Sequence, residues 1–261
     1  MCLITLNWQP ESLTPLTMAA NRDEFYARPA LPLHHWPDST ILAGKDAQAG
    51  GTWLGVAHAA GARHVRLAAL TNYRDMARHN PNAPSRGHIV TSFLKGATSA
   101  RTYLQTLSTM ADVYNPFNLI LFDGQELMGF ESRHVRAFAL PPGISSVSNA
   151  DFSTPWPKLV RLQHDFEQVL GLPRNEPQQE AELFNLLMHD VVATDAELPQ
   201  TGIPLARERA LSAAFIRTPD YGTRACSVVR VGNQAADFTE RSYDANGFRG
   251  EVKKHLSWSN P

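Results

Sequence analysis

Short apolar runs crowd both ends of this chain, and the long helical faces fall between them; that order removes most folds from consideration. Residues 2–7 and 17–21 are apolar runs separated by Gln9-Pro10-Glu11-Ser12, which reads as a hairpin turn. Residues 40–43, 52–57, 65–71, 117–122 and 126–131 continue the strand pattern, with Asp123-Gly124 as a second hairpin signal. Near the end, residues 226–231 and 235–239 flank Gly232-Asn233, a third. Helical spacing is confined to the middle. Ile89, Val90, Phe93 and Leu94 form one face, continued by Tyr103, Leu104 and Leu107 beyond Gly96. Leu159, Leu162, Phe166, Val169 and Leu170 form another, closed by Gly171, and Leu183, Phe184, Leu186, Leu187 and Val191 a third. Strands, then helices, then strands is not a βαβ alternation. It predicts an α+β fold of mostly antiparallel sheets with helices outside, and a four-layer αββα sandwich suits the length.

The bulk properties narrow the function. Residues 1–261 read as a single domain, with 43% hydrophobic and 19% charged residues, as in an ordinary globular protein. A net charge of −1 with scattered basic residues argues against nucleic acid. Ten histidines occur without HExxH or Cys-x-x-Cys, so no metal site is expected. No run approaches the roughly 18 apolar residues of a transmembrane segment. The two cysteines, Cys2 and Cys226, lie far apart in a chain with no leader-like start, which points to a reducing, cytoplasmic setting. The proline-rich stretches from Pro29 to Pro32 and Pro81 to Pro84 read as ordered loops, and Gly50-Gly51-Thr52-Trp53-Leu54-Gly55 as a tight turn into a strand with no phosphate cradle.

Cys2 is the residue with the most chemistry in prospect. If Met1 is removed, one residue carries both a thiol and a free α-amine, and an amine with an ordinary pKa near 8 can take the thiol's proton without a histidine. The plainer reading is a small residue opening a buried strand. Asn21-Arg22-Asp23-Glu24 follows the second apolar run, either as a solvated turn or as a functional cluster. If the first two runs pair as a hairpin, the cluster falls beside Cys2, where Arg22 would favour the thiolate and Asp23 would orient the amine. Thr71-Asn72-Tyr73-Arg74 ends another strand, a common place for binding residues. The Asn149 amide suits an oxyanion donor or, more plainly, an Asx turn. Arg224, in Tyr221-Gly222-Thr223-Arg224, would hold a carboxylate, sit over the thiolate, or pair with a surface acid. His34-His35-Trp36 reads as a surface loop, with contact to a metalloporphyrin as the sharper alternative.

Together, Met1-Cys2-Leu3-Ile4, Ala20-Asn21-Arg22-Asp23-Glu24, Gly51-Thr52-Trp53-Leu54-Gly55, Thr71-Asn72-Tyr73-Arg74, Ser85-Arg86-Gly87, Asn115-Pro116-Phe117-Asn118-Leu119, Ser148-Asn149, Thr154-Pro155-Trp156-Pro157-Lys158 and Tyr221-Gly222-Thr223-Arg224 resemble the NRDE family, also called the transport and Golgi organisation family. That family is in turn distantly similar to the N-terminal-nucleophile amidases of the choloylglycine hydrolase and penicillin V acylase type. The resemblance implies an αββα sandwich and carries catalytic roles onto Cys2, Asp23, Asn149 and Arg224. The match departs at Arg22, which touches Asp23 where the amidases space the two by three residues; either spacing places them on opposite faces of a strand.

Two functions follow from the resemblance. One is a Cys2-dependent hydrolase of a small non-peptide amide, needing no cofactor, with Arg22, Asn72 and Arg74 binding substrate. The other is a non-catalytic protein that carries haem or an acyl compound in the same cleft, since relatives have been linked to haem trafficking and to lipid or acyl-CoA metabolism. Haem would then ride on the Cys2 thiolate, on His34 or His35, or on packing alone.

Overall fold

A computed structural model describes residues 2–37, 39–58 and 64–258. The fold is mixed α and β, and every strand pairing among the described residues is antiparallel. β1 (Cys2–Trp8) and β2 (Leu16–Phe25) form the opening hairpin, and the chain then lays down β3 (Ala30–His35), β4 (Ile41–Asp46), β5 (Leu54–Ala57) and β6 (Arg66–Asn72). Two helices follow, α1 (Gly87–Lys95) and α2 (Ala100–Ser108), and then β7 (Phe117–Phe122), β8 (Leu127–Glu131), β9 (Arg136–Ala139) and β10 (Gly143–Val147). The helices α3 (Pro157–Gly171), α4 (Glu176–Leu187) and α5 (Leu205–Leu211) precede the closing strands β11 (Tyr221–Val231), β12 (Ala235–Asp244) and β13 (Gly247–Ser257). The first sheet runs β10-β1-β2-β11-β12-β13, and the second runs β3 through β9 in chain order.

Strand periodicity explains the layering. On β1 and β2, Ile4, Leu6, Trp8, Leu16, Met18 and Ala20 pack between the sheets against Val56, Leu67, Ala69 and Ile120 of the second. The intervening Leu3 and Ala19, with Cys226 and Val228, pack against Leu159, Leu162 and Phe166 of α3 and Leu183 and Phe184 of α4. The second sheet does the same outwards, where Ala68, Leu70, Leu119 and Leu121 meet Ile89, Val90 and Phe93 of α1 and Leu104 and Leu107 of α2. Central strands are thus covered on both faces, which is why they read as unbroken apolar runs rather than alternating ones. Each fully buried side chain of this size stabilises the fold by roughly 1.5–3 kcal/mol.

The helical faces expected from the sequence lie on α1 to α4, except that Val191 falls beyond α4 and is 57% exposed. Gly96 ends α1, donating its N–H to Ser92 O and Phe93 O, and Ser99 begins α2 by accepting from the Thr102 N–H. Several elements depart from expectation. β2 does not stop at Asn21 but runs on through Arg22, Asp23 and Glu24. The stretch expected as a loop around Pro29–Pro32 contributes β3, an edge strand, where a residue without an N–H is tolerated. β9, β13 and α5 carry no clear periodic signal. No helix among the described residues is long and apolar enough to cross a membrane.

Candidate active site

Register builds the site. Cys2 pairs with Arg22 across β1 and β2, and Arg22 pairs with Ala225 across β2 and β11. These residues share the face that carries Ile4 and Ala20, so they point between the sheets, at the end of the inter-sheet core. There the sheets part around a cavity of about 710 Å³ whose lining includes Cys2, Arg22, Glu24, Asn72, Arg86 and Arg224. Asn21 and Asp23 alternate onto the other face, towards the helices. One polar tetrapeptide therefore serves two environments.

On the cavity face, Arg22 Nη2 lies 3.6 Å from a carboxylate oxygen of Glu24 and 3.6 Å from one of Asp46, and Arg28 Nε binds Asp46 at 2.7 Å. Arg22 Nη1 is buried and has no hydrogen-bond partner among the described residues. Arg86 enters from the residue before α1 and spends one N–H on Pro116 O. It is held there because Gly51 and Gly87 meet backbone to backbone; a Cβ on Gly51 would lie 2.5 Å from Gly87 C. Burial pushes the Cys2 thiol up to about 11 against the opposing pull of Arg22, so desolvation outweighs the charges and the thiol is protonated at neutral pH.

On the helix face, the Asn21 amide nitrogen donates to Leu187 O at 2.7 Å and to Ala214 O at 2.9 Å, tying β2 to the end of α4 and the segment after α5. Asp23 is 1% exposed, and its Oδ1 accepts from Thr223 Oγ at 2.7 Å. Thr223 Oγ accepts in turn from the Ile216 N–H, so its own proton is committed to the carboxylate. Burial raises the Asp23 pKa, opposed first by Lys158 and also by the Thr223 bond.

The residues expected at the site divide. Cys2, Arg22, Asp23, Asn72 and Arg224 border one cavity, whereas Asn149 and Arg74 do not. Asn149 is fully buried, its amide nitrogen donating to Asn72 O at 2.8 Å and its carbonyl oxygen lying 3.3 Å from Ser148 Oγ, which also reaches Cys2 O at 3.1 Å. In this position it stitches the end of β10 to the end of β6 behind Cys2. Arg74 is sealed against Glu208, each side chain 4% exposed, with its guanidinium 4.7 Å from the centre of the Trp156 ring. The arginine expected to bind substrate is thus held by a buried acid away from the cavity.

Arg224 sits where the β2–β11 register slips between Thr223 and Ala225. That irregularity takes it out of the strand alternation, and its guanidinium donates to the carbonyls of Tyr243, Phe25, Tyr26 and Arg28. It braces the chain leaving β2 rather than lying over the thiol. His34 and His35 lie on the edge strand β3 and do not line the cavity; His34 hydrogen-bonds Pro32 O and stacks on Trp36. No cluster of metal-binding side chains is found among the described residues. Met1 lies outside the described residues.

Lys158 is a buried charged residue that sequence reasoning passed over. It is 2% exposed, and its Nζ has no hydrogen-bond partner among the described residues. A signal was available: Lys158 follows Pro157 in the first turn of α3, where the helix dipole disfavours a cation, so a lysine buried there calls for an acid nearby.

A profile of the family described as Transport and Golgi organisation 2 matches residues 1–245. The chain belongs to that family. Relatives in the Transport and Golgi organisation 2 family include the Transport and Golgi organization protein 2 homolog of Bos taurus, 35% identical, with 93% of each chain covered. The Homo sapiens homolog is 32% identical over 93% of each chain, and the Drosophila melanogaster protein 27% identical over 84% of this chain and 82% of its own.

Proposed function

We propose that this member of the family is an N-terminal-nucleophile hydrolase of a small non-peptide amide, built on the αββα sandwich of that enzyme class. The observation that carries the reading is the placement of Cys2: its thiol borders a cavity of ligand size, and Asp23 lies one register step further towards the chain start, beside the amine that removal of Met1 would free. In the reaction, the thiol proton passes to the α-amine and Sγ bonds to the amide carbonyl carbon. The resulting ammonium returns the proton to the departing nitrogen as the C–N bond breaks, leaving a thioester that water cleaves. The nearby amine is what would overcome the high thiol pKa. Arg22 and Asn72 then border the substrate, and the Cys2 and Cys226 thiols, both unpaired, fit a reducing cytoplasm.

Protein made without an N-terminal tag tests this directly. Intact mass should show loss of Met1, and amine release from a panel of small acyl amides should disappear in Cys2→Ala. Retention of Met1 in an otherwise folded protein would overturn the mechanism, because the amine would remain in a peptide bond.

A second reading, ligand carriage without chemistry, is favoured by the protonated Cys2 thiol and by the engagement of Asn149 and Arg224 with backbone. Since neither His34 nor His35 lines the cavity, haem held there would depend on Cys2 or on packing. A Soret shift lost in Cys2→Ala supports that carrier; absence of any shift at stoichiometric haem removes haem and leaves the acyl compounds, assayed by direct calorimetric titration.

A further inference from the structure

Behind the sheet that carries Cys2, buried charged side chains from four parts of the chain act on one another electrostatically. Asp23 comes from β2, Arg74 from the segment after β6, Glu208 from α5 and Lys158 from α3. Arg74 and Glu208 are joined by an ion pair, and Glu208 Oε1 also accepts from the Thr201 N–H and hydroxyl. Lys158 is buried too and has no ion pair or hydrogen bond among the described residues, in a helical first turn that repels it. A buried ammonium keeps its charge only where opposite charge nearby stabilises it. Asp23 is the first of the groups that stabilise the charged form of Lys158, followed among the attractive ones by Cys2 and Glu208; Arg74 opposes.

We propose that Lys158 is a positioning residue of the Cys2 site, sharing the negative charge of Asp23 so that the amine beside Cys2 is not locked as an ammonium. This rests on the hydrolase reading for its catalytic meaning, though not for its electrostatics. With Asp23 facing the amine alone, the carboxylate would hold the amine's proton and also oppose ionisation of the thiol. With Lys158 behind it, the same carboxylate orients the amine through a weaker field, and the amine can receive the thiol proton. Burial lowers Lys158 to about 8, opposed first by Asp23 and then by Cys2 and Glu208. Lys158 does not border the large cavity, so it acts through Asp23 and not on substrate.

The test reads the Cys2 thiol itself. In a Cys226→Ala background one thiol remains, and its alkylation rate by iodoacetamide is followed against pH. At pH 7, where Lys158 with its value of about 8 still carries its charge, Lys158→Met should slow the alkylation by roughly three- to tenfold, while Lys158→Arg stays close to the parent. A folded Lys158→Met protein alkylated at the parental rate at pH 7 overturns the proposal. If Lys158→Met does not fold, Asp23→Asn/Lys158→Met, which leaves neither charge alone, should fold better than the single variant. A double variant no better than the single one overturns the proposal equally. Absent turnover in a protein that has lost Met1, with alkylation at pH 7 still slowed in Lys158→Met, would remove the hydrolase while leaving the role of Lys158 intact.

Discussion

The two faces of β2 carry side chains of similar polarity to opposite ends. Arg22 and Glu24 point into the cavity, where Arg28 and Asp46 join them in a loose group of ion pairs. Asn21 and Asp23 point to the helices, where the polar contacts are to fixed partners: Asn21 donates to two backbone carbonyls, and the contacts of Asp23 include the Thr223 hydroxyl. The first arrangement can lose a member and regroup around the others. The second cannot, because a buried donor or acceptor left unmade costs its full desolvation. The helix face holds the structure in place, and the cavity face is left adjustable.

The sharpest way to break this contrast is at Asn21. Asn21→Ala strands the carbonyls of Leu187 and Ala214 inside the protein, and we expect a loss of about 4 kcal/mol in urea unfolding. A loss below about 1 kcal/mol would mean that the helix face is as forgiving as the other.

Glu240 shows that facing the cavity does not by itself make a group adjustable. It pairs in register with Ser227, on the face shared by Ala20 and Arg22, yet it is 3% exposed and accepts from the Leu33 N–H at 2.8 Å. Burial pushes its carboxyl up to about 7. The folded protein therefore keeps a proton that the unfolded chain loses near pH 4.5, and stability should fall as pH rises between those values. The drop is on the order of 3 kcal/mol. Thermal unfolding from pH 4.5 to 7.5 should show it, and Glu240→Gln should flatten that part of the profile. Thr223→Val, which deprives both Asp23 Oδ1 and the Ile216 N–H, follows at about 2 kcal/mol by the same unfolding assay.

Much of this was legible beforehand because it depends on period. The apolar runs at both ends and the helical faces between them fix two sheets and their coverings, and the opening hairpin alone brings Arg22 beside Cys2. Edge strands were harder to see. β3 and β13 bury little, and their residues carry the mixed polarity of loops. At the site, residue type announced that Asn149, Arg74 and Arg224 were polar and placed at strand ends, but not which way they point. Arg224 is turned by a register slip between Thr223 and Ala225, and Arg74 is claimed by Glu208, 134 positions further along. Lys158 failed to stand out for the converse reason: a lysine at a helix start looks solvated until the strand beneath it is known to carry Asp23.

The smallest expected effect is the most telling for function. Arg22→Met removes a cation from a group in which Arg28 still binds Asp46 at 2.7 Å and lies 3.9 Å from Glu24, so stability should change by no more than about 1 kcal/mol. The thiol opposite should respond more. Arg22 is among the charges that favour the Cys2 thiolate, and without it the pKa climbs further above the value already set by burial. Alkylation of Cys2 at pH 8.5 should slow by roughly three- to tenfold, as expected for loss of one nearby cation from a site that reacts as thiolate. An Arg22→Met protein that unfolds as readily as Asn21→Ala, with Cys2 reacting at the parental rate, would show that the cavity face is structural and that Arg22 does not govern the thiol. A stable protein with a slower thiol would place the control of Cys2 on the cavity face of β2.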